Sequence, residues 1–169
     1  MIRHPIPPLY DSGSRVLILG SFPSPKSREA GFFYGHPQNR FWRVMAAVLG
    51  WTAGGDGIYV PQTKEEKSEM LHARHIALWD TIASCDITGA SDASISNVVP
   101  NDLSPIFGAA DIRAVFCNGA ASHGLYMKYI FPVSGRTAVR LPSTSPANAA
   151  CSLEKLTAAW SVISGCLND

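Results

Sequence analysis

Four short runs rich in aliphatic and β-branched residues, separated by segments with helical spacing, constrain the fold of this chain more than any other feature. The runs lie at residues 15–19, 75–81, 112–117 and 137–141. Runs of this kind that end abruptly in a turn are typical of strands buried on both faces of a sheet. Strands that alternate with helices favour a parallel sheet. We therefore expect an α/β fold: a three-layer α/β/α sandwich around a central, mostly parallel, four-stranded sheet.

The segments between these runs carry the apolar spacing and the capping residues of helices. The pattern predicts helices over residues 39–49, 63–74, 101–107, 120–129 and 152–167. Thr63 and Glu66 match a capping box, and Ser152 is the expected cap of the last helix. Residues 82–97 are mostly small and polar, and we interpret them as an irregular excursion. No linker or repeat divides the sequence, so we expect one domain over residues 1–169.

Composition narrows the class of protein. The chain has 169 residues, 46% of them hydrophobic, and a net charge of +1, which gives no overall basic surplus for nucleic-acid binding and does not exclude it. No apolar run approaches the roughly 20 residues of a membrane span. The N-terminus lacks the apolar core of a secretory signal, so we expect a cytoplasmic protein. The cysteines are widely spaced and predict reduced thiols without a metal site.

Right-handed crossovers between parallel strands would bring all four strand ends to one edge of the sheet. The loops leaving that edge span residues 20–40, 81–101, 118–122 and 142–151. The first begins with GSFPS and the last follows Leu141 with PSTSPANA, so both are small, stiffened by proline and rich in hydroxyls. We interpret this edge as a site for a polyanion.

Common phosphate and nucleophile motifs are missing from these loops. The segment after the first strand lacks the second glycine and the lysine of GxxxxGK[ST], and it is not GxGxxG. No GxSxG nucleophile elbow is present. The sequence therefore argues against a P-loop enzyme, a dinucleotide-binding enzyme and an esterase.

The two loops and the motif HPQNRFW at residues 36–42 resemble the uracil-DNA glycosylase superfamily over almost the whole chain. The resemblance implies that family's fold and a DNA glycosylase activity. The mismatch-specific branch carries a catalytic asparagine in the first loop, where this chain has Phe22. The combination of GSFPS with LPSTSPANA is instead similar to the hypoxanthine-DNA (deoxyinosine) glycosylases. In that branch the resemblance assigns catalysis to the asparagine of HPxNRFW, which is Asn39 here.

The chemistry is compatible with an asparagine at this position. Cleavage of an N-glycosidic bond builds oxocarbenium character on the sugar and negative charge on the leaving base. An amide can accept a hydrogen bond from the attacking water while it donates another. The alternative is that Asn39 merely caps the helix that follows it.

Further residues are assigned to the extruded base. By resemblance, Tyr34 stacks on the base, and Phe22 forms the other wall of the pocket; both could instead be ordinary core aromatics. Asn118 ends a strand at the same edge, where its amide either reads the base or simply suits the turn before Gly119. Ser21, in the first loop, is also assigned to base binding.

Hydroxyls in the two loops are the expected DNA contacts, because neutral donors position a phosphate backbone without reading its sequence. The expected contacts are Ser24, Ser27, Ser143 and Ser145. Ala147 and Asn148 occupy the loop tip that, by resemblance, fills the gap left by the extruded base. Arg40 is one of several cations that could add local positive charge.

These features together predict a monofunctional glycosylase that acts on damaged DNA, with hypoxanthine as the preferred base, and that works as a monomer without cofactor or metal. Lys26 is the only lysine of the first loop, and its expected exposure gives it little reason to act as a Schiff-base nucleophile. Two alternatives stay open: a uracil or mismatch-specific glycosylase, and a non-catalytic nucleic-acid-binding module on the same fold.

Overall fold

The computed structural model describes residues 1–167. In chain order its strands are β1 (Ile2–Arg3), β2 (Val16–Gly20), β3 (Ile76–Asp80), β4 (Ile82–Asp86), β5 (Ser96–Pro100), β6 (Ala114–Asn118) and β7 (Val139–Leu141). The order β3-β2-β6-β7 forms a four-stranded sheet in which every neighbouring pair is parallel. The central sheet is therefore confirmed, and each predicted strand is present with its bounds shifted by one or two residues.

Helices cover both faces of this sheet. They are α1 (Pro25–Ala30), α2 (Phe41–Leu49), α3 (Lys64–Ala73), α4 (Ser104–Ala109), α5 (Ala120–Leu125), α6 (Phe131–Ser134), α7 (Leu153–Trp160) and α8 (Val162–Leu167), and a π-helical turn, Tyr126–Ile130, joins α5 to α6. Val16 and Ile18 of β2 pack with α2, α3, α7 and α8, whereas Leu17 and Leu19 pack with α4 and the π-helical turn. Because these strand residues are fully buried on alternating sides, the three-layer sandwich is also confirmed.

The interpretation of residues 82–97 as irregular is wrong. This segment holds all of β4 and the first two residues of β5, which pair antiparallel and form a second sheet in the order β1-β4-β5. Two register shifts interrupt the pairing, and only Ile82 and Cys85 of the two strands are buried. The apolar alternation that announces a strand is therefore missing from the sequence.

Helix ends follow local capping chemistry. The capping box is confirmed, since the Thr63 hydroxyl accepts from the Glu66 amide and the Glu66 carboxylate accepts from the Thr63 amide, both at 3.1 Å. Ser152 caps α7 as predicted. Four helical predictions are wrong in detail. Helix α2 begins at Phe41 and not at residue 39, and α4 begins at Ser104 and not at residue 101. The helix predicted over 120–129 becomes π-helical after Leu125, and the last helix divides at Ser161. Helix α1 was not predicted, although its Ser24 cap and a following proline are visible in the sequence.

Two further properties concern the chain as a whole. No helix within residues 1–167 has the length and apolar character needed to cross a membrane. The four cysteines are free thiols, and burial raises the pKa of Cys117 to about 11.

Candidate active site

The loops that leave the carboxyl ends of the parallel strands enclose a pocket of about 110 Å³. Its lining comes from all four predicted loops and includes Tyr34, Asn39, Asp80, Asp92, Asn118 and Thr144. A larger groove of about 570 Å³ adjoins the pocket and shares four lining residues with it: Asp92, Asn118, Ser143 and Ser145. The prediction that the loops meet at one edge is confirmed.

Asn39 lies on the wall of this pocket with its amide oxygen fully occupied. The Oδ1 atom accepts from the backbone N–H of Phe41 and from the hydroxyl of Thr144, both at 2.9 Å. Because an amide oxygen has two lone pairs, none is left to accept from a water molecule. Both acceptor positions of Asn39 are therefore taken inside the protein, and its contact with the attacking water stays a prediction. Its Nδ2 atom has no hydrogen-bond partner within residues 1–167, so Asn39 offers the pocket donors only.

Thr144 links Asn39 to Asn118 across the pocket. The Asn118 Nδ2 donates to the Thr144 hydroxyl at 2.9 Å, and the Asn118 Oδ1 accepts from the Thr144 backbone N–H at 3.0 Å. Thr144 is completely buried. Sequence reasoning missed it, because it stands between two serines that look equally suited to contact DNA. Asn118 therefore anchors the last loop, and its contact with a base stays a prediction.

The two predicted aromatic residues border the pocket in different ways. Tyr34 stacks on Phe41 with ring centroids 4.1 Å apart, so a base can stack only on its other face. Phe22 is buried beside Ile82 and Cys85, with its ring edge-on to His4. Phe22 thus fits the predicted pocket wall, and the stacking role of Tyr34 stays a prediction.

The serines of the first loop mostly hold that loop together. Ser24 caps α1, and its hydroxyl also donates to the Ser27 Oγ. Ser27 is buried and accepts from the Gly35 amide at 3.0 Å. Ser21 donates to the Asp92 carboxylate at 3.0 Å. Each hydroxyl already has a partner inside the protein, so contacts of Ser24 and Ser27 with DNA, and of Ser21 with the base, stay predictions.

The last loop is ordered by its own polar side chains. The hydroxyls of Ser143 and Ser145 accept from backbone amides two residues further on, each at 3.1 Å. The Asn148 Nδ2 donates to the Ser143 carbonyl at 3.0 Å. Ala147 is exposed. The tip therefore presents a small apolar side chain on a braced backbone, and the wedge role of Ala147 and Asn148 stays a prediction.

Arg40 braces this loop from the neighbouring one. Its Nη2 atom donates to the carbonyls of Ser145 at 3.2 Å and Asn148 at 3.0 Å, and its Nη1 atom donates to the carbonyl of Cys151. Because these N–H groups donate to backbone carbonyl oxygens, the role of Arg40 is to hold the last loop in place.

Replacing Arg40 by methionine should therefore lower the free energy of unfolding by about 2 kcal/mol, because hydrogen bonds from a charged donor are worth roughly 1.5–3 kcal/mol and this group is partly exposed. Urea unfolding measures the change, and DNA affinity should fall with it as the loop loosens. The matched control is Arg43→Met, an exposed residue of α2 for which we expect a change within about 0.5 kcal/mol. Equal stability of the two variants would contradict the bracing role.

Two carboxylates in the pocket were missed by the sequence analysis. Asp80 accepts from the His4 Nε2 at 2.6 Å, and both side chains are almost completely buried. Asp92 is more open, and partial burial raises its pKa, with the Asp80 charge adding to that effect and Ser21 opposing it. Asp80 is the last residue of β3 and stands one residue before the end of the predicted strand, so a search of the strand ends, which singled out Asn118, would have found it. His4 precedes every predicted element and carries no such signal.

Comparison with known proteins places this pocket in a family. The sequence matches the family model described as the uracil DNA glycosylase superfamily over residues 7–163. The chain belongs to the uracil DNA glycosylase superfamily. The match spans every loop of the pocket, and it confirms the resemblance seen in the sequence.

Individual relatives within this superfamily are similar over nearly their whole length. A hypoxanthine DNA glycosylase of Methanosarcina acetivorans is 31% identical over 148 residues, which cover 88% of this chain and 89% of the relative. A second protein of that name, from Methanosarcina barkeri, is 29% identical over 145 residues, covering 85% and 87%. A solution NMR structure from Methanosarcina acetivorans, described as a candidate uracil DNA glycosylase, superposes with a TM-score of 0.80 at 28% identity over 99% of both chains.

Proposed function

We propose that this protein extrudes hypoxanthine from DNA and hydrolyses its N-glycosidic bond. It is a monofunctional DNA glycosylase that acts on deaminated bases, as its superfamily and its relatives named hypoxanthine DNA glycosylase support. The catalytic assignment rests on the hydrogen bonds of Asn39. Its Oδ1 accepts from two donors inside the protein, and its Nδ2 is left to donate into the pocket.

The proposed reaction uses Asn39 as a donor. As the bond between C1′ and the base breaks, its electron pair leaves with the base and the sugar becomes an oxocarbenium ion. Asn39 donates to the oxygen of a water molecule and orients it toward C1′. An oxocarbenium ion is so electrophilic that orientation of the water contributes more than removal of its proton. The water oxygen then bonds to C1′, and the proton that the water loses is taken up by the departing base anion, so the products are the free base and an abasic site.

The structure offers no amine nucleophile for a lyase reaction in the first loop. Lys26 is exposed on α1 and does not line the pocket. A Schiff base requires an amine, usually that of a lysine, that reaches C1′ of the sugar. Borohydride should therefore trap no covalent adduct between protein and DNA.

The remaining assignments complete the proposal. Ser143 and Ser145 lie on the groove next to the pocket, which suits a damaged DNA strand that passes over the site. Ala147 and Asn148 fill the gap left by the base, and Ser24 and Ser27 support the opposite side. Phe22 and Ser21 line the space that the base occupies. We further propose a single domain, a monomeric protein and a cytoplasmic location at the nucleoid.

A base-release panel tests this function. Duplexes that differ only in carrying deoxyinosine, deoxyuridine or deoxyadenosine are incubated with excess protein, and free bases are separated by chromatography. We expect hypoxanthine to be released fastest and adenine not to be released. Faster release of uracil would favour the uracil-specific alternative. Tight binding without release of any base would identify a non-catalytic module.

A further inference from the structure

Asp80 and Tyr34 meet at the floor of the pocket around Gly20. A Cβ atom built on Gly20 would lie 2.3 Å from the Asp80 Oδ1 and 3.0 Å from the Tyr34 hydroxyl oxygen. The absence of a side chain on Gly20 therefore allows a carboxylate oxygen and a phenol to occupy neighbouring positions. All three residues line the same pocket.

His4 fixes which oxygen of Asp80 faces the pocket. The His4 Nδ1 accepts from the backbone N–H of Ile6 at 3.2 Å, so the ring proton is on Nε2 and is donated to the Asp80 Oδ2. Oδ1 makes no hydrogen bond within the described part of the chain. Asp80 therefore presents one acceptor in a fixed direction.

The Tyr34 hydroxyl is the neighbouring donor. It is buried without a hydrogen-bond partner among the described residues. Burial, reinforced by the Asp80 carboxylate and partly offset by Asn118, raises the pKa of Tyr34 far above its usual value, so the phenol keeps its proton. A buried donor without a partner is costly, and a ligand acceptor would remove that cost.

We propose that Asp80 selects the substrate by accepting a hydrogen bond from the ring N–H of a lactam base, while the Tyr34 hydroxyl donates to the adjacent carbonyl oxygen. This assignment rests on the proposed glycosylase function and names the substrate class of its pocket. Hypoxanthine presents N1–H beside O6, which matches an acceptor beside a donor. Adenine presents the lone pair of N1 to the carboxylate, so two acceptors face each other without a proton between them. A buried polar group left unpaired in this way rejects a ligand strongly.

The substitution Asp80→Asn replaces the hydrogen-bond acceptor that faces the base by a donor, without changing the size of the side chain. Because the His4 Nε2 donates, the carboxamide oxygen takes the place of Oδ2 and the NH₂ group takes the place of Oδ1. A donor then faces N1. We expect single-turnover release of hypoxanthine from a deoxyinosine duplex to fall roughly a hundredfold. Release of the base from a deoxynebularine duplex, whose purine has a lone pair at N1 and no carbonyl, should fall less. The ratio of the hypoxanthine release rate to the purine release rate should therefore fall at least tenfold.

The matched control is Asp92→Asn, which removes the same charge from the same pocket. We expect it to leave the ratio of the two rates unchanged. Equal losses on both substrates in Asp80→Asn would reduce Asp80 to a structural role and overturn the proposal. If the ratio changes equally in both variants, the change comes from the charge of the pocket in general, and selection by Asp80 is contradicted.

A substrate-side test does not depend on the folding of any variant. The wild-type protein should not release 1-methylhypoxanthine, which keeps the carbonyl but lacks the ring N–H. Release of the methylated base at the rate of hypoxanthine would overturn the selection by Asp80 and leave the glycosylase function standing. Failure of the wild-type protein to release hypoxanthine itself would contradict the proposed function instead.

The substitution Tyr34→Phe separates the hydroxyl from the ring. It keeps the surface on which a base could stack and removes only the donor. We expect about a tenfold loss of hypoxanthine release. An unchanged rate would contradict the donor role and return Tyr34 to stacking.

Discussion

Asn39→Ala is expected to lower single-turnover release of hypoxanthine by about 10²–10³-fold, the usual effect of removing one positioned donor from an active site. Binding to a deoxyinosine duplex should change by less than about tenfold, because the DNA backbone is held elsewhere. The variant also loses the acceptor used by Phe41 and Thr144, so its free energy of unfolding should fall by about 1–2 kcal/mol. Rates and unfolding curves must therefore be measured together.

Asn39→Asp separates the two roles of this side chain. The carboxylate keeps an oxygen for Phe41 and Thr144 and replaces the Nδ2 donors by an acceptor. We expect near wild-type stability and a loss of excision at least as large as tenfold. A rate equal to that of the wild-type protein would show that the donor is dispensable and that the oxygen of Asn39 is the functional atom.

Gly20→Ala is expected to be about as damaging to hypoxanthine release as Asp80→Asn. The new methyl carbon would lie 2.3 Å from the Asp80 Oδ1, and that carboxylate cannot move freely because His4 holds it. Either the carboxylate is displaced or the methyl group fills the floor of the pocket. A displacement of about 1 Å at a reacting site can cost about 10²-fold in rate, so we expect a loss of that order.

Gly108→Ala in α4 is the matched control for Gly20→Ala. A Cβ at Gly108 meets no atom within 4 Å, and alanine is the better helix former. The control should keep wild-type excision and equal or slightly higher stability. Wild-type excision by Gly20→Ala would mean that the base does not approach the pocket floor, which contradicts the proposed geometry.

The sheet and its functional edge could be predicted because they depend on features that are local in sequence. Each buried strand is an apolar run, and parallel strands with right-handed crossovers necessarily share one edge. The second sheet could not be predicted, because register shifts interrupt the pairing of β4 with β5 and only Ile82 and Cys85 of the two strands are buried. Their pairing is stabilised by main-chain contacts that leave no apolar pattern.

Site residues that belong to a recognisable motif could be predicted from the sequence. Site residues whose role depends on a partner that is distant in the sequence were missed. Asn39 stands in a recognisable motif, but the occupation of its Oδ1 depends on Thr144, which is 105 residues away in the sequence. Asp80 depends in the same way on His4, which is 76 residues away. The spacing of residues in the sequence gives no indication of such partners.

The measurement that tests the account most directly is single-turnover release of free hypoxanthine from one deoxyinosine duplex, with wild-type protein and Asn39→Ala assayed side by side at saturating concentrations. We expect rapid release by the wild-type protein and a loss of at least about a hundredfold in the variant. Equal release by the two proteins, or no release by the wild-type protein despite tight binding, would contradict it.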